Sequence, residues 1–220
     1  DVHHVDSMLV RAGSGLADMA SPDSAGVPSH VAADTLVLPL NNPAAIRHAF
    51  ERHGPEIAAV IVEPLPCNCG LLPQTDEFLQ TLFSTARAHG ALVIFDEVIT
   101  GFRVGFGGMA ELTGIHPDLV TYGKVVGGGF PVGAYGGRAD LMDLVAPTGA
   151  VYQAGTLSAN PVAMTAGLTT LRKLLRLQPY AQLANGVEAL AGELEELPGH
   201  PPITVQRRGS LFSVILGEVT

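Results

Sequence analysis

The sequence predicts an α/β protein with a mostly parallel sheet, followed by the start of a smaller α+β unit. Two observations carry this. Continuous apolar runs at 58–62, 91–95 and 119–122 alternate with segments of helical periodicity, the pattern of buried parallel strands covered by helices. Each of those runs also ends beside an ionisable residue, Glu63, Asp96 or Lys124, and ligands of such sheets sit outside the carboxyl ends of the strands.

Residues 4–32 are rich in glycine, serine and proline and are expected to form a long excursion with little regular structure. Thr35-Leu36-Val37-Leu38 reads as a short strand. Asn42-Pro43 opens a helix to about Arg52. Ala58–Val62 reads as a strand ending at Glu63. Asp76 is a plausible cap for a helix over 76–89, where Phe78, Leu79, Leu82, Phe83 and Ala86 recur at helical spacing. Ala91–Phe95 is a second strand and Leu119–Tyr122 a third. Val132–Tyr135 is a candidate fourth. Helices are expected over 160–177 and 180–197, then strands at Ile203–Val205 and Leu211–Leu216. The expected division is a partial large domain over 1–172 and the start of a small domain over 173–220.

Composition removes several function classes. Lys+Arg is 12 and Asp+Glu is 21, a net charge of −9, which argues against the basic face that nucleic acid requires. The uncharged run 144–171 is punctuated by Pro147, Gly149, Asn160 and Pro161, so no membrane span is expected there. No charged-then-apolar leader is visible. Cys67 and Cys69 are too close in sequence for a favourable mutual bridge, and a reducing compartment, the cytoplasm, is the default. No second cluster matches His3-His4-Val5-Asp6, so no metal site is expected. Dinucleotide, Walker and nucleophile-elbow patterns all fail on their fixed positions.

Lys124 and Lys173 are the two lysines of the chain. Lys173 falls late in an amphipathic helix, where a solvated role is ordinary. Lys124 follows an apolar strand and precedes Val125-Val126-Gly127-Gly128-Gly129. In apolar surroundings a lysine loses its proton more readily and can attack a carbonyl. Asp96 stands at a neighbouring strand end. A lysine for an aldehyde and an acid for a ring nitrogen are what pyridoxal phosphate needs. From spacing alone, Asp96-Glu97 could equally cap the next segment.

The motifs Phe95-Asp96-Glu97-Val98-Ile99-Thr100-Gly101-Phe102-Arg103, Tyr122-Gly123-Lys124-Val125-Val126-Gly127-Gly128-Gly129 and Tyr152-Gln153-Ala154-Gly155-Thr156-Leu157-Ser158-Ala159-Asn160-Pro161 resemble the class III pyridoxal-phosphate-dependent aminotransferases. Arg103–Gly108, His4-Val5-Asp6-Ser7 and Ala12-Gly13-Ser14-Gly15 extend the resemblance to the aminomutase branch of that family. The resemblance implies the fold type I of such transferases, pyridoxal 5'-phosphate as cofactor, and conversion of glutamate-1-semialdehyde to 5-aminolevulinate in tetrapyrrole biosynthesis. It implies Lys124 as the Schiff-base lysine and proton shuttle, Asp96 on the pyridine nitrogen and Val98 against the ring. It further implies Asn68 and Tyr152 beside the ring and its phenolic oxygen, and Gly155-Thr156 at the cofactor phosphate of a neighbouring subunit, hence a homodimer. It also implies that Glu63 supports the site from below and that Ser14 lies on a gating loop within 4–32. The implied location is the cytoplasm, or the plastid stroma of a plant or alga. The alternatives are an ω-amino-acid aminotransferase of the same class or a truncated, non-catalytic remnant.

Two departures accompany the resemblance. Asp1 stands where the family carries a ring-stacking tyrosine. The family's N-terminal phosphate loop and substrate arginine, and its C-terminal glutamate, have no counterpart here, so the expectation is a central portion of such an enzyme that binds the cofactor weakly by itself.

Overall fold

The computed structural model describes residues 25–68, 70–198 and 201–217. Seven α-helices and six strands are described: α1 Ser29–Ala32, α2 Pro43–His53, β1 Ala59–Val62, α3 Asp76–Ala88, β2 Leu92–Asp96, α4 Gly108–Thr113, β3 Leu119–Tyr122, β4 Ala134–Gly137, α5 Ala139–Met142, α6 Pro161–Leu177, α7 Tyr180–Glu195, β5 Ile203–Arg208 and β6 Leu211–Leu216. One sheet has the order β1-β2-β3-β4 and a second pairs β5 with β6. The first is mostly parallel, as the alternation of strands and helices predicts. Its β2 and β3 run parallel, with Asp96 opposite Thr121, and β4 adds to β3 antiparallel.

The chain forms two compact units, one from residues up to 60 with 74–93, the other from 61–73 with 94 onward. In the first, α2 packs on α3. Their buried faces carry Ile46, Ala49, Phe50, Phe78, Leu79, Leu82 and Ala86. Burying the isoleucine, leucine and phenylalanine side chains among them stabilises by roughly 1.5–3 kcal/mol each. Asn42 caps α2 through Ala45 N–H (3.0 Å). The cap of α3 is Thr75, whose Oγ1 accepts from Phe78 N–H (3.2 Å), one residue before the expected Asp76.

In the second unit the β5–β6 hairpin supports two loops. Leu211 packs against Leu65, Leu71, Val104 and Met109. Ser210 Oγ donates to the Arg103 carbonyl (2.9 Å), and Tyr180 OH donates to the Phe102 carbonyl (3.4 Å). Asn160 caps α6 through Ala163 N–H (3.0 Å) with Pro161 at its first position.

Three expectations change. Residues 35–38 are not a strand: they lie between a turn closed by Thr35 N–H on Ala32 O (3.2 Å) and Pro39, and no described strand pairs with them. The fourth strand starts at Ala134, two residues later than expected, and ends in Gly136-Gly137. At Gly137 a Cβ would collide with the Asp118 carbonyl, so the backbones approach where only glycine fits. The expected excursion over 4–32 ends in the short α1; residues 1–24, including Ser14, lie outside the described residues, as does Cys69.

Candidate functional site

Asp96 is the last residue of β2 and is 7% exposed. Parallel pairing brings the carboxyl ends of β2 and β3 to one side of the sheet. The ladder continues one step past Asp96, where Glu97 N–H donates to Thr121 O (3.0 Å). Asp96 Oδ1 accepts from Val98 N–H (3.0 Å), which orients the carboxylate. Its Oδ2 makes no hydrogen bond among the described residues.

Val98 meets the other chemical residue of the site through a glycine. A Cβ at Gly123 would stand 3.1 Å from Val98 Cγ1, so the missing side chain lets Val98 seat against the backbone preceding Lys124. Lys124 begins a 3-10 turn, Lys124–Gly127, with φ +46°. It makes no hydrogen bond or ion pair among the described residues. The sequence predicts apolar surroundings for it; the structure corrects this, because Lys124 is exposed. Its strand ends at Tyr122, and Lys124 belongs to the turn that follows, not to the buried sheet.

Behind the turn, the backbone packs closely on α6. Gly128 has φ +58°, and a Cβ there would meet Thr170 Oγ1 and lie 2.8 Å from Ala166 O; a Cβ at Gly167 would lie 2.6 Å from Val126 O. The lysine turn therefore rests on a helix through glycines.

The Tyr122 ring lies 5.1 Å from that of Phe102, which in turn lies 5.4 Å from Phe106. Burial first, and the negative charge of Glu97 second, push the Tyr122 hydroxyl above its ordinary value of 10.0. Glu97 itself is fully buried. Oε2 accepts from Thr100 Oγ1 (3.0 Å) and Met109 N–H (2.7 Å), and Oε1 accepts from Ala110 N–H (3.0 Å). The two readings of Asp96-Glu97 thus separate: Glu97 caps α4, and Asp96 is left with a free oxygen.

The remaining predicted residues lie elsewhere in the same unit. Glu63 is half-buried just past β1, and Asn68 is exposed in a turn closed by Leu72 N–H on Pro66 O (2.9 Å). Tyr152 is 83% exposed, and Gly155 and Thr156 are exposed in the turn closed by Ser158 N–H on Gly155 O (2.9 Å). No hydrogen bond among the described residues joins 152–156 to Asp96, Val98 or Lys124. Glu97 was not singled out as a site residue because its partners lie three and twelve or more positions downstream; Gly107-Gly108, which leaves α4 without a cap of its own, is the one sequence signal for it.

An exposed primary amine after one strand and a buried carboxylate with an uncommitted oxygen at the end of its parallel neighbour are the residue types that an aromatic aldehyde carrying a ring nitrogen requires. The same donor set is poor for a metal, and the described residues hold no group of three or more His, Cys, Asp or Glu able to bind one. No helix among the described residues is long and apolar enough to cross a membrane.

A family model, "Aminotransferase class-III", matches residues 6–219. The chain is 62% identical over 177 residues to a glutamate-1-semialdehyde 2,1-aminomutase of Bdellovibrio bacteriovorus, covering 80% of this chain and 42% of that protein. Among solved structures it is similar to an ω-transaminase from Sphaerobacter thermophilus, with TM-score 0.83 and 40% identity, over 92% of this chain and 47% of the other. It is also similar to a transaminase with PLP bound, with TM-score 0.85 and 33% identity, over 97% of this chain and 51% of the other. The chain spans about half the length of the curated relatives it matches.

Proposed function

The chain belongs to the class III aminotransferases, and from that premise we propose that the protein is a pyridoxal-5'-phosphate-dependent aminomutase converting glutamate-1-semialdehyde to 5-aminolevulinate. The observation that carries this reading is the β2–β3 register, Asp96 opposite Thr121, with Val98 against Gly123 just ahead of Lys124. The identity to a glutamate-1-semialdehyde 2,1-aminomutase supports the choice of substrate.

When bound, the cofactor supplies an aldehyde carbon and a ring that accepts electrons from a substrate carbon. Lys124 Nζ would hold the aldehyde and would serve as the proton carrier for the reacting carbons. Asp96, whose Oδ1 accepts from the Val98 N–H, would use Oδ2 to keep the ring nitrogen protonated. Val98 would pack on the ring. Asn68 and Tyr152 would orient the ring and its phenolic oxygen, and Glu63 would support the site from below. Gly155-Thr156 is assigned to the phosphate of a neighbouring subunit's cofactor, so the active form is a homodimer. The exposure of 151–159 supports that assignment. Ser14 belongs to the gating segment that retains the diamine between half-reactions. The site is read as the cytoplasmic, small-molecule centre of an enzyme that binds neither nucleic acid nor membrane.

The ω-transaminase similarity favours one second reading, intermolecular amino transfer with release of a keto product. Assaying both reactions decides. Formation of 5-aminolevulinate from glutamate-1-semialdehyde without an added amino acceptor is expected. Steady alanine production from pyruvate with no 5-aminolevulinate overturns the aminomutase.

A further inference from the structure

Asp96 and Glu97 are consecutive residues of an extended chain, so their side chains lie on opposite faces. The structure treats the two carboxylates differently. Asp96 uses one oxygen locally, on Val98 N–H (3.0 Å). Glu97 uses every polar atom it has. Its N–H donates to Thr121 O (3.0 Å) and its carbonyl accepts from Gly101 N–H (2.9 Å). Its carboxylate takes the three donors of Thr100, Met109 and Ala110.

The six-residue α4 has no side-chain cap of its own, since its N-cap is Gly107. A local serine or aspartate would serve a helix end. Here the cap comes from a residue directly beside the proposed acid, and the packing is cut to admit it. Gly108 has φ +64°, and a Cβ there would occupy the position of Glu97 Oε2. Three donors converging on two oxygens require a carboxylate: an amide of the same size offers one oxygen and turns its NH2 toward a backbone N–H. A side chain of this kind, buried without a cation among the described residues, is costly unless its bonds are all made.

We infer that Glu97 is a positioning residue for Asp96. By fixing β3, the 97–101 turn and the start of α4 from the buried side, it gives the Asp96–Val98 edge a single geometry toward the ring nitrogen of a bound cofactor. This rests on the proposed pyridoxal-phosphate reading.

The test uses the intact protein. Wild type, Glu97→Gln and Thr100→Val are titrated with pyridoxal 5'-phosphate across pH, with circular dichroism and Tm as folding controls. Glu97→Gln is expected to bind about tenfold more weakly, the loss that one charge-assisted hydrogen bond represents. The pH at which the visible band of the bound cofactor changes is expected to move with it. Thr100→Val, which removes one of three donors and keeps the carboxylate, moves both in the same direction by a smaller amount. A folded Glu97→Gln protein with unchanged affinity and band overturns the inference, and so does a lowered Tm with an unmoved band, which makes Glu97 a helix cap alone. If Glu97→Gln does not fold, Thr100→Val decides on the same readings. A wild-type protein that develops no band removes the functional reading itself, and this inference with it.

Discussion

Lys124 adopts φ +46°, a region that side chains other than glycine, asparagine and aspartate seldom occupy and that costs on the order of 1 kcal/mol. The residue holds that conformation because the glycines behind it fit closely to α6. Since the chain has two lysines, its role is simple to check. Borohydride reduction of the cofactor-loaded protein is expected to label one peptide, the one containing residue 124, and Lys124→Ala is expected to lose the label entirely; label on Lys173 would remove the assignment. Tyr122 gives a pH prediction. Its hydroxyl is held above 10.0 by burial and then by Glu97, so the folded state keeps its proton more tightly than the unfolded chain does. That contribution is whole below about pH 10 and is lost as pH rises from there through the folded value. Urea midpoints across this range should fall for wild type and less steeply for Tyr122→Phe. Lys124 and Asp96 were legible in the sequence because strand ends mark them. Glu97 was not: a side chain whose partners lie twelve residues away leaves no periodic trace.

At the scale of elements, helices and strands with an unbroken apolar pattern were readable, and the misses share a cause. The apolar 35–38 pairs with no described strand, β4 is half glycine, and α4 is capped from outside its own sequence. In each case a tertiary neighbour, absent from any local window, decides the conformation. The seam between the lysine turn and α6 makes a quantitative prediction. Gly128→Ala introduces a Cβ at positive φ against Thr170 and Ala166, and a loss of about 2 kcal/mol or more is expected in urea unfolding. The β5 edge predicts acid sensitivity. The Val205 N–H first, and Arg207 as well, hold the Glu195 carboxyl below its ordinary value of 4.5. The associated stability is present above that pH and fades as pH falls through the lower folded value. Glu195→Gln should flatten this part of the curve measured by circular dichroism; an unchanged slope would reject the linkage.

For the whole molecule, the exposed apolar side chains over 151–162 are the main datum. Tyr152 is 83% exposed, Leu157 76% and Val162 60%, an arrangement that a protein commonly covers with a partner. The proposed homodimer covers them with a second copy. Sedimentation of the intact protein is expected to give a dimer, and Leu157→Asp is expected to give a folded, smaller species with weakened cofactor binding. A wild-type monomer that retains full activity would reject the subunit-shared phosphate site.

The bonds from Ser210 to the Arg103 carbonyl and from Tyr180 to the Phe102 carbonyl have a consequence for how such a protein can be shortened. A translation product stopped ahead of position 180 would still carry Asp96, Val98 and Lys124. It would lack both bonds under the segment that follows the acid, so chemistry encoded by residues 96–124 is underwritten by residues from position 180 onward.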